Sequence, residues 1–265
     1  MAAMRLRILP VLAVVMMVMS TVAAKAETEV DLALVLAVDV SRSMDPDEQE
    51  LQRQGFVEAL RSPQVHQAIA GGTLGRIVVS YVEWSGENEQ TVIVPWTVLD
   101  DEPDAVAFAG RLAAAPVSRM RRTSISGAID FGVRLLADTG VTPLRKVIDI
   151  SGDGPNSSGR AVTRARDEAA SQGITINGLP IMLKRPSGFG DIDNLDAYYR
   201  DCVIGGRGAF IVPVRERQQF AEAIRNKIIR EIADLSSTPL IQPAQAASPV
   251  DCATRGSAGW DQWRN

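Results

Sequence analysis

Asp39, Ser41 and Ser43 follow the apolar run Leu32–Val38 at alternate positions, placing a carboxylate and two hydroxyls where a buried strand must end. Two other polar groups stand in comparable places. Arg121, Arg122, Thr123 and Ser124 precede an amphipathic stretch, and Ser151, Gly152, Asp153 and Gly154 follow the apolar run Val147–Ile150. If the two runs are neighbouring strands, Asp39 and Asp153 approach each other. Close carboxylates repel, and a cation between them removes the repulsion. The hydroxyls of Ser41, Ser43 and Thr123 would add hard, neutral oxygens. An oxygen-only set with few charges and room for water suits Mg²⁺ or Mn²⁺ better than Ca²⁺.

The elements that would position these groups are legible as periodicities. Apolar runs occur at Leu32–Val38, Ile77–Val82, Thr91–Val94, Val147–Ile150, Ile174–Ile181 and Ala209–Val214. Helical patterns lie between most of them. Ile125, Ile129, Val133 and Leu136 share one helix face, as do Phe220, Ile224, Ile228 and Ile232. Ser158–Gln172 is Ala-rich and stops at Gly173, a helix C-terminus. Only Ser85–Glu89 separates the second and third runs, which predicts an antiparallel hairpin. The other connections pass through helices, so those strands are parallel and buried on both faces. The fold class is α/β: a doubly wound, mostly parallel sheet with one antiparallel edge strand and helices on both faces. Ligands of such sheets bind at the carboxyl ends of the strands.

Some of the polar residues have local explanations. Asp45, Pro46 and Glu48 make a helix start, with Asp45 as N-cap and Glu48 at the capping-box position. That accounts for Asp45 and Glu48 but not for Asp39, Ser41 and Ser43. Asp149 falls inside a strand, among Val147, Ile148 and Ile150, and is expected to be a buried, hydrogen-bonded structural residue. His66, the only histidine, follows Pro63 near a helix end and is expected in a surface or loop role.

The ends of the chain differ from its middle. Arg5 and Arg7, the apolar stretch Ile8–Val22 and Ala24-Lys25-Ala26 form a secretory signal pattern over residues 1–26, with cleavage after Ala26. Export is therefore expected, to the periplasm or beyond the cell, with no membrane span after cleavage. Removing residues 1–26 takes away three basic and no acidic residues. The remaining 239 residues carry 25 basic and 32 acidic side chains, a formal charge of −7. This acidic balance argues against sequence-independent binding of nucleic acid. Residues 27–236 then form one domain and 237–265 a Pro/Ala/Gln linker and tail carrying Trp260 and Trp263. In an exported protein the pair Cys202 and Cys252 is expected to form a disulfide.

Asp39-Val40-Ser41-Arg42-Ser43, then Thr123 before a helix, then Asp153-Gly154 after a strand resemble the metal-ion-dependent adhesion site of von Willebrand factor A domains. The resemblance covers roughly residues 30–235. Stretches such as Arg122–Gly127 and Tyr198–Cys202 also resemble the exported bacterial family DUF1194. By position, the resemblance implies Asp39, Ser41, Ser43, Thr123 and Asp153 as the metal set. It also implies a partner protein whose exposed acidic residue completes the coordination. Two departures stand out. Arg121 and Arg122 occupy places where glycines are common, which makes them candidates to face an acidic ligand. Gly152 stands where a Thr often precedes the last Asp.

Rival readings use the same residues. Phosphatases of the haloacid dehalogenase type keep a nucleophilic Asp at this strand end, but need a second Asp two residues on, where this chain has Ser41. An unperturbed hydroxyl is a poor general acid near neutral pH. A serine hydrolase would need a base and a nucleophile elbow, and zinc hydrolysis would need His ligands. An enzyme is therefore not expected. A metal-independent scaffold would instead use the 184–208 connection or the Trp tail.

Overall fold

The computed structural model describes residues 27–184, 192, 194–233 and 250–252. The signal pattern 1–26, most of the linker and tail including Trp260 and Trp263, and residues 185–191 and 193 of the 184–208 connection lie outside the described residues. Five strands form one sheet: β1 (Glu29–Asp39), β2 (Ile77–Trp84), β3 (Gln90–Leu99), β4 (Thr142–Gly152) and β5 (Ile174–Pro180). Their order is β3-β2-β1-β4-β5. β1 pairs in parallel with β2 and β4, β4 in parallel with β5, and β3 runs antiparallel at the edge.

β1 is the central strand, and its residues are buried from Val30 onward. Alternation divides it between two cores. Leu32, Leu34, Leu36 and Val38 pack with α1 (Pro46–Arg61), α2 (Pro63–Ala70), α3 (Glu102–Ala114) and α7 (Phe220–Ile232). Ala33, Val35 and Ala37 pack with α4 (Ile125–Leu136), α5 (Val162–Ser171) and α6 (Leu195–Tyr198), which continues as a π-turn over Tyr199–Val203. A strand covered on both faces needs a continuous apolar run, which is what Leu32–Val38 supplies.

The helix starts follow their caps. Asp45 accepts from Glu48 N–H at 2.8 Å, while the Glu48 carboxylate accepts from Asp45 N–H at 3.0 Å. Ser124 caps α4 by accepting from Gly127 N–H at 3.1 Å. Phe220, Ile224, Ile228 and Ile232 are all buried, as their spacing predicts. The hairpin closes through Ser85 N–H donating to Glu89 O at 3.0 Å.

Two sequence expectations need correction. The helix expected from Ser158 begins at Val162, because Gly159 adopts a left-handed φ of 80° and Ser157 and Ser158 turn their N–H groups to Thr123 O. The run Ala209–Val214 lies beside β5 only through isolated bridges, Gly178–Ile211 and Ile181–Val214. Pro213 has no N–H, so pairing is carried by Val212 and Val214, whose N–H groups reach Gly178 O and Pro180 O at 3.0 and 2.9 Å.

Asp149 is buried as expected, but it is held by an ion pair, and neither oxygen has a hydrogen-bond partner among the described residues. The Lys227 ammonium is 2.5 Å from Asp149 Oδ1, at angles outside hydrogen-bonding geometry, and also pairs with Glu231. Asn177 donates to Glu231 Oε1 at 3.3 Å. This buried charge cluster ties α7 to β4 and β5. Cys202 and Cys252 are disulfide-bonded, which fixes residues 250–252 to the π-turn.

Candidate functional site

Strand order decides where a ligand can reach the sheet. The order reverses between β1 and β4, so the crevice opens at their carboxyl ends. Register aligns those ends, with Val38 opposite Ser151. Asp39 closes β1, and Asp153 follows β4 directly.

The polar residues beyond these ends form a continuous chain. Ser41 N–H donates to Asp39 Oδ1 at 2.7 Å. Ser41 Oγ and Ser43 Oγ are 2.9 Å apart, and Ser43 Oγ donates to Asp153 Oδ1 at 2.6 Å. Four of the five sequence candidates are thus joined. The fifth, Thr123, arrives through its backbone. Met120 N–H donates to Val40 O at 3.1 Å, and Thr123 O accepts from Ser157 and Ser158 N–H at 2.9 and 3.1 Å. The Thr123 segment therefore lies between the two loops, although no hydrogen bond among the described residues joins its hydroxyl to the Asp39–Asp153 chain.

Supporting residues hold this arrangement. Asn156 accepts from Ser126 N–H at 3.0 Å and donates to Arg160 O at 3.1 Å, fixing the loop after β4 against α4. Gln52 on α1 donates to Ser151 Oγ at 2.6 Å. Arg53 pairs with Glu83 inside the protein and donates to Leu112 O and Ala115 O, anchoring the chain that leads to Met120.

The electrostatics favour an added cation. Asp39 is fully buried, and its Oδ2 has no hydrogen-bond partner among the described residues. Burial, then the neighbouring Asp153 charge, holds the Asp39 carboxyl well above the usual carboxylate range. Burial raises Asp153 too, against the opposing hydrogen bond from Ser43 and the charge of Lys184. An orphaned buried carboxylate oxygen, a second carboxyl and two hydroxyls are a donor set that fits a hard divalent ion. No cluster of three or more His, Cys, Asp or Glu side chains able to hold a metal occurs among the described residues, so such an ion would depend on the hydroxyls.

Three features were not legible as site residues. Lys184 donates to Ser43 O at 2.8 Å and pairs with Glu48, putting an ammonium beside the chain. Glu48, whose cap role is visible in sequence, is thereby also part of the site's charge balance. The Tyr199 hydroxyl is buried without a partner. A Cβ at Gly152 would sit 2.9 Å from Asp39 Oδ2 and 3.0 Å from the Tyr199 hydroxyl. The absence of a side chain at 152 is what leaves room for that hydroxyl near Asp39. The only sequence signal was Gly152 itself, in place of Thr.

Arg121 and Arg122 are both exposed. Arg122 has a left-handed φ of 69°, which explains why glycine suits this turn. Its charge acts on Glu89, whose carboxyl is lowered chiefly by the Ser85 hydroxyl. His66 lies on α2, where its ring is hydrogen-bonded to Leu60 O at 2.8 Å.

Solved structures with similar folds include a von Willebrand factor type A protein from Catenulispora acidiphila, with TM-score 0.54 and 15% identity over 77% of this chain and 43% of that one. Pilus adhesin SpaC from Lactobacillus rhamnosus GG aligns with TM-score 0.59 and 13% identity over 78% of this chain and 32% of its own. Proximal thread matrix protein 1 from the mussel byssus aligns with TM-score 0.52 and 12% identity over 78% and 47%. This chain spans less than half the length of each, and at these identities the likeness is one of fold. No curated protein matches the sequence. The fold is that of a von Willebrand factor A domain, and the family model described as "Protein of unknown function (DUF1194)" matches residues 29–236, so the chain belongs to that family.

Proposed function

We propose that this protein is an exported binding module that holds a divalent cation at the carboxyl edge of its sheet and uses it to recognise an acidic group on a partner protein. The observation that carries this reading is the buried Asp39 carboxylate, with one unpartnered oxygen, linked through Ser41 and Ser43 to Asp153. Asp39, Ser41, Ser43, Thr123 and Asp153 would hold Mg²⁺ or Mn²⁺. The bound ion would supply a positive charge with an open position for a carboxylate.

The hydroxyls lower the number of charges around the ion and leave it electron-poor toward an incoming acid. Arg121 and Arg122, exposed on the neighbouring loop, are suited to steer acidic partners toward it. One metal–carboxylate contact is small, so surrounding loops must supply specificity. SpaC, a structural relative, is described as a pilus adhesin, which agrees with a binding role for this fold. Export rests on the signal pattern of residues 1–26.

Calorimetric titration of metal-stripped protein with Mg²⁺, Mn²⁺ and Ca²⁺ tests the site, beside an Asp39→Ala, Ser41→Ala double variant. Saturable binding by the native protein, lost in a variant that remains folded, is the expected result. Partner capture with and without chelator then tests recognition. No saturable binding by the native protein would overturn the metal reading.

A further inference from the structure

The opposite end of the sheet from Asp39 carries a second polar concavity. It is a cavity of about 220 Å³ between the starts of β4 and β5 and the last turn of α7. Among the described residues its lining includes Arg145, Lys146, Arg207 and Arg230, and one acidic residue, Glu231. Such a concentration is unexpected in a chain whose acidic residues outnumber its basic ones, 32 to 28.

Arg145 is engaged structurally, and two other cations of the lining are not. Arg145 donates to Glu231 O and Ile232 O at 3.0 and 2.8 Å, so it caps the carbonyl end of α7. Arg207 and Arg230 have no ion pair among the described residues. Lys146 shares the parity of Ile148, so its side chain leaves β4 on the α4–α5 face, away from α7. Arg230 stacks with its guanidinium carbon 4.0 Å from the Phe210 ring centroid. Stacking occupies the guanidinium face and leaves its in-plane N–H donors available to an anion.

Arg207 is held in place. It sits between Gly206 and Gly208, whose left-handed φ values are 87° and 70°. Its carbonyl accepts from Thr175 Oγ at 3.1 Å, and Gly205 exchanges backbone hydrogen bonds with Ile176 at 2.8 and 3.2 Å. A Cβ at Gly206 would meet Ile174 O at 2.6 Å, so the turn is pressed onto β5. Backbone packing therefore presents this Arg at the cavity's rim.

The Glu231 carboxylate is engaged, through one oxygen, by Lys227 and Asn177 rather than by the arginines of the lining. Its other oxygen is buried without a partner.

From this arrangement we infer that the cavity binds a small polyanion of the phosphate class, held by Arg207 and Arg230, at a site separate from the Asp39–Asp153 crevice. Arginine forks match phosphate oxygens two at a time, and clustered cations gain from a doubly or triply charged ligand. The volume accommodates a group the size of pyrophosphate.

The test is calorimetric titration of EDTA-treated protein with pyrophosphate, at low ionic strength, for the native chain and an Arg207→Gln, Arg230→Gln double variant. Circular dichroism establishes whether the variant is folded; if it is not, the single variants Arg207→Gln and Arg230→Gln replace it. Expected are saturable binding by the native chain, at least about tenfold weaker binding by the variant, and unchanged binding by Asp39→Ala, Ser41→Ala. Absence of saturable binding, or equal binding by native chain and folded variant, overturns the inference. Loss of pyrophosphate binding in Asp39→Ala, Ser41→Ala would also overturn it, since the anion would then be sitting at the crevice.

Discussion

Replacing Asp39 by Asn should stabilise the metal-free protein while abolishing its response to metal. Asp39 Oδ1 accepts from Ser41 N–H at 2.7 Å, and an Asn side-chain oxygen keeps that bond. Oδ2 is buried with no partner, and Asp153 adds like-charge repulsion. Leaving a buried polar group unsatisfied costs about 1–3 kcal/mol, and a charged one costs more. An Asn amide stays unpartnered there, so the substitution removes the excess cost of the charge and the repulsion from Asp153. Removing the charge should therefore raise the stability of the EDTA-treated protein by about 1–3 kcal/mol. At about 2–4 °C per kcal/mol for a domain of this size, the melting temperature rises by roughly 2–12 °C. Magnesium acts in the opposite sense. At about 100 times its dissociation constant it stabilises the native protein by about 2.7 kcal/mol, or roughly 5–11 °C, and the variant gains nothing. Scanning calorimetry in EDTA and in saturating Mg²⁺ should show the variant ahead in the first condition and its lead reduced or reversed in the second. A variant less stable than native in EDTA would refute the reasoning, because Asp39 would then be a satisfied structural acid. So would an equal gain from Mg²⁺.

Lys184→Gln should tighten Mg²⁺ binding about three- to tenfold by calorimetry, because it removes a half-exposed ammonium held at Ser43 O and Glu48 beside the carboxylates. Weaker binding would show instead that Lys184 supports the loop. Burial, then Asp149, pushes Glu231 up from 4.5 to about 7, so the folded protein holds a proton that the unfolded chain has released. Stability from this group is present below about pH 4.5 and is lost as pH rises through 7, and Glu231→Gln should remove roughly 2–3 kcal/mol of decline between pH 5 and 8 in urea unfolding. An unchanged pH slope would show that Glu231 is ionised in the native state throughout. Changing Cys202 and Cys252 together to Ser opens a bridge of sequence separation 50. The chain-entropy model puts the loss at about 4 kcal/mol, which should appear as a drop in melting temperature of about 8–16 °C. A drop below about 3 °C would mean the bridge constrains little of the unfolded chain.

The parts of the site that were legible are those governed by local chemistry. Ser41 and Ser43 stood out because a helix cap explains Asp45 and Glu48 but leaves the residues before them unexplained, and the capping box formed as expected. Asp153 stood out as the polar end of a second buried run. Residues that act through distant contacts were not legible. Lys184 meets Glu48 across 136 positions, and Tyr199 reaches the space beside Gly152 only because α6 continues into a π-turn. The basic cavity was equally hidden, since Arg207 and Arg230 come from a turn and a helix.

By itself, the sequence determined the alternation of strands and helices, the antiparallel hairpin, the helix caps and the inventory of oxygen donors. These depend on side-chain periodicity of two or 3.6 residues and on hydrogen bonds spanning a few positions. Only the tertiary structure decided that β1 lies beside β4 with Val38 opposite Ser151, so that Asp39 and Asp153 share one crevice. It also decided that Thr123 enters by its backbone and that Gly152 yields its space to a tyrosine. Those outcomes follow from strand order and from how two cores fill, and both depend on burial summed over the whole domain.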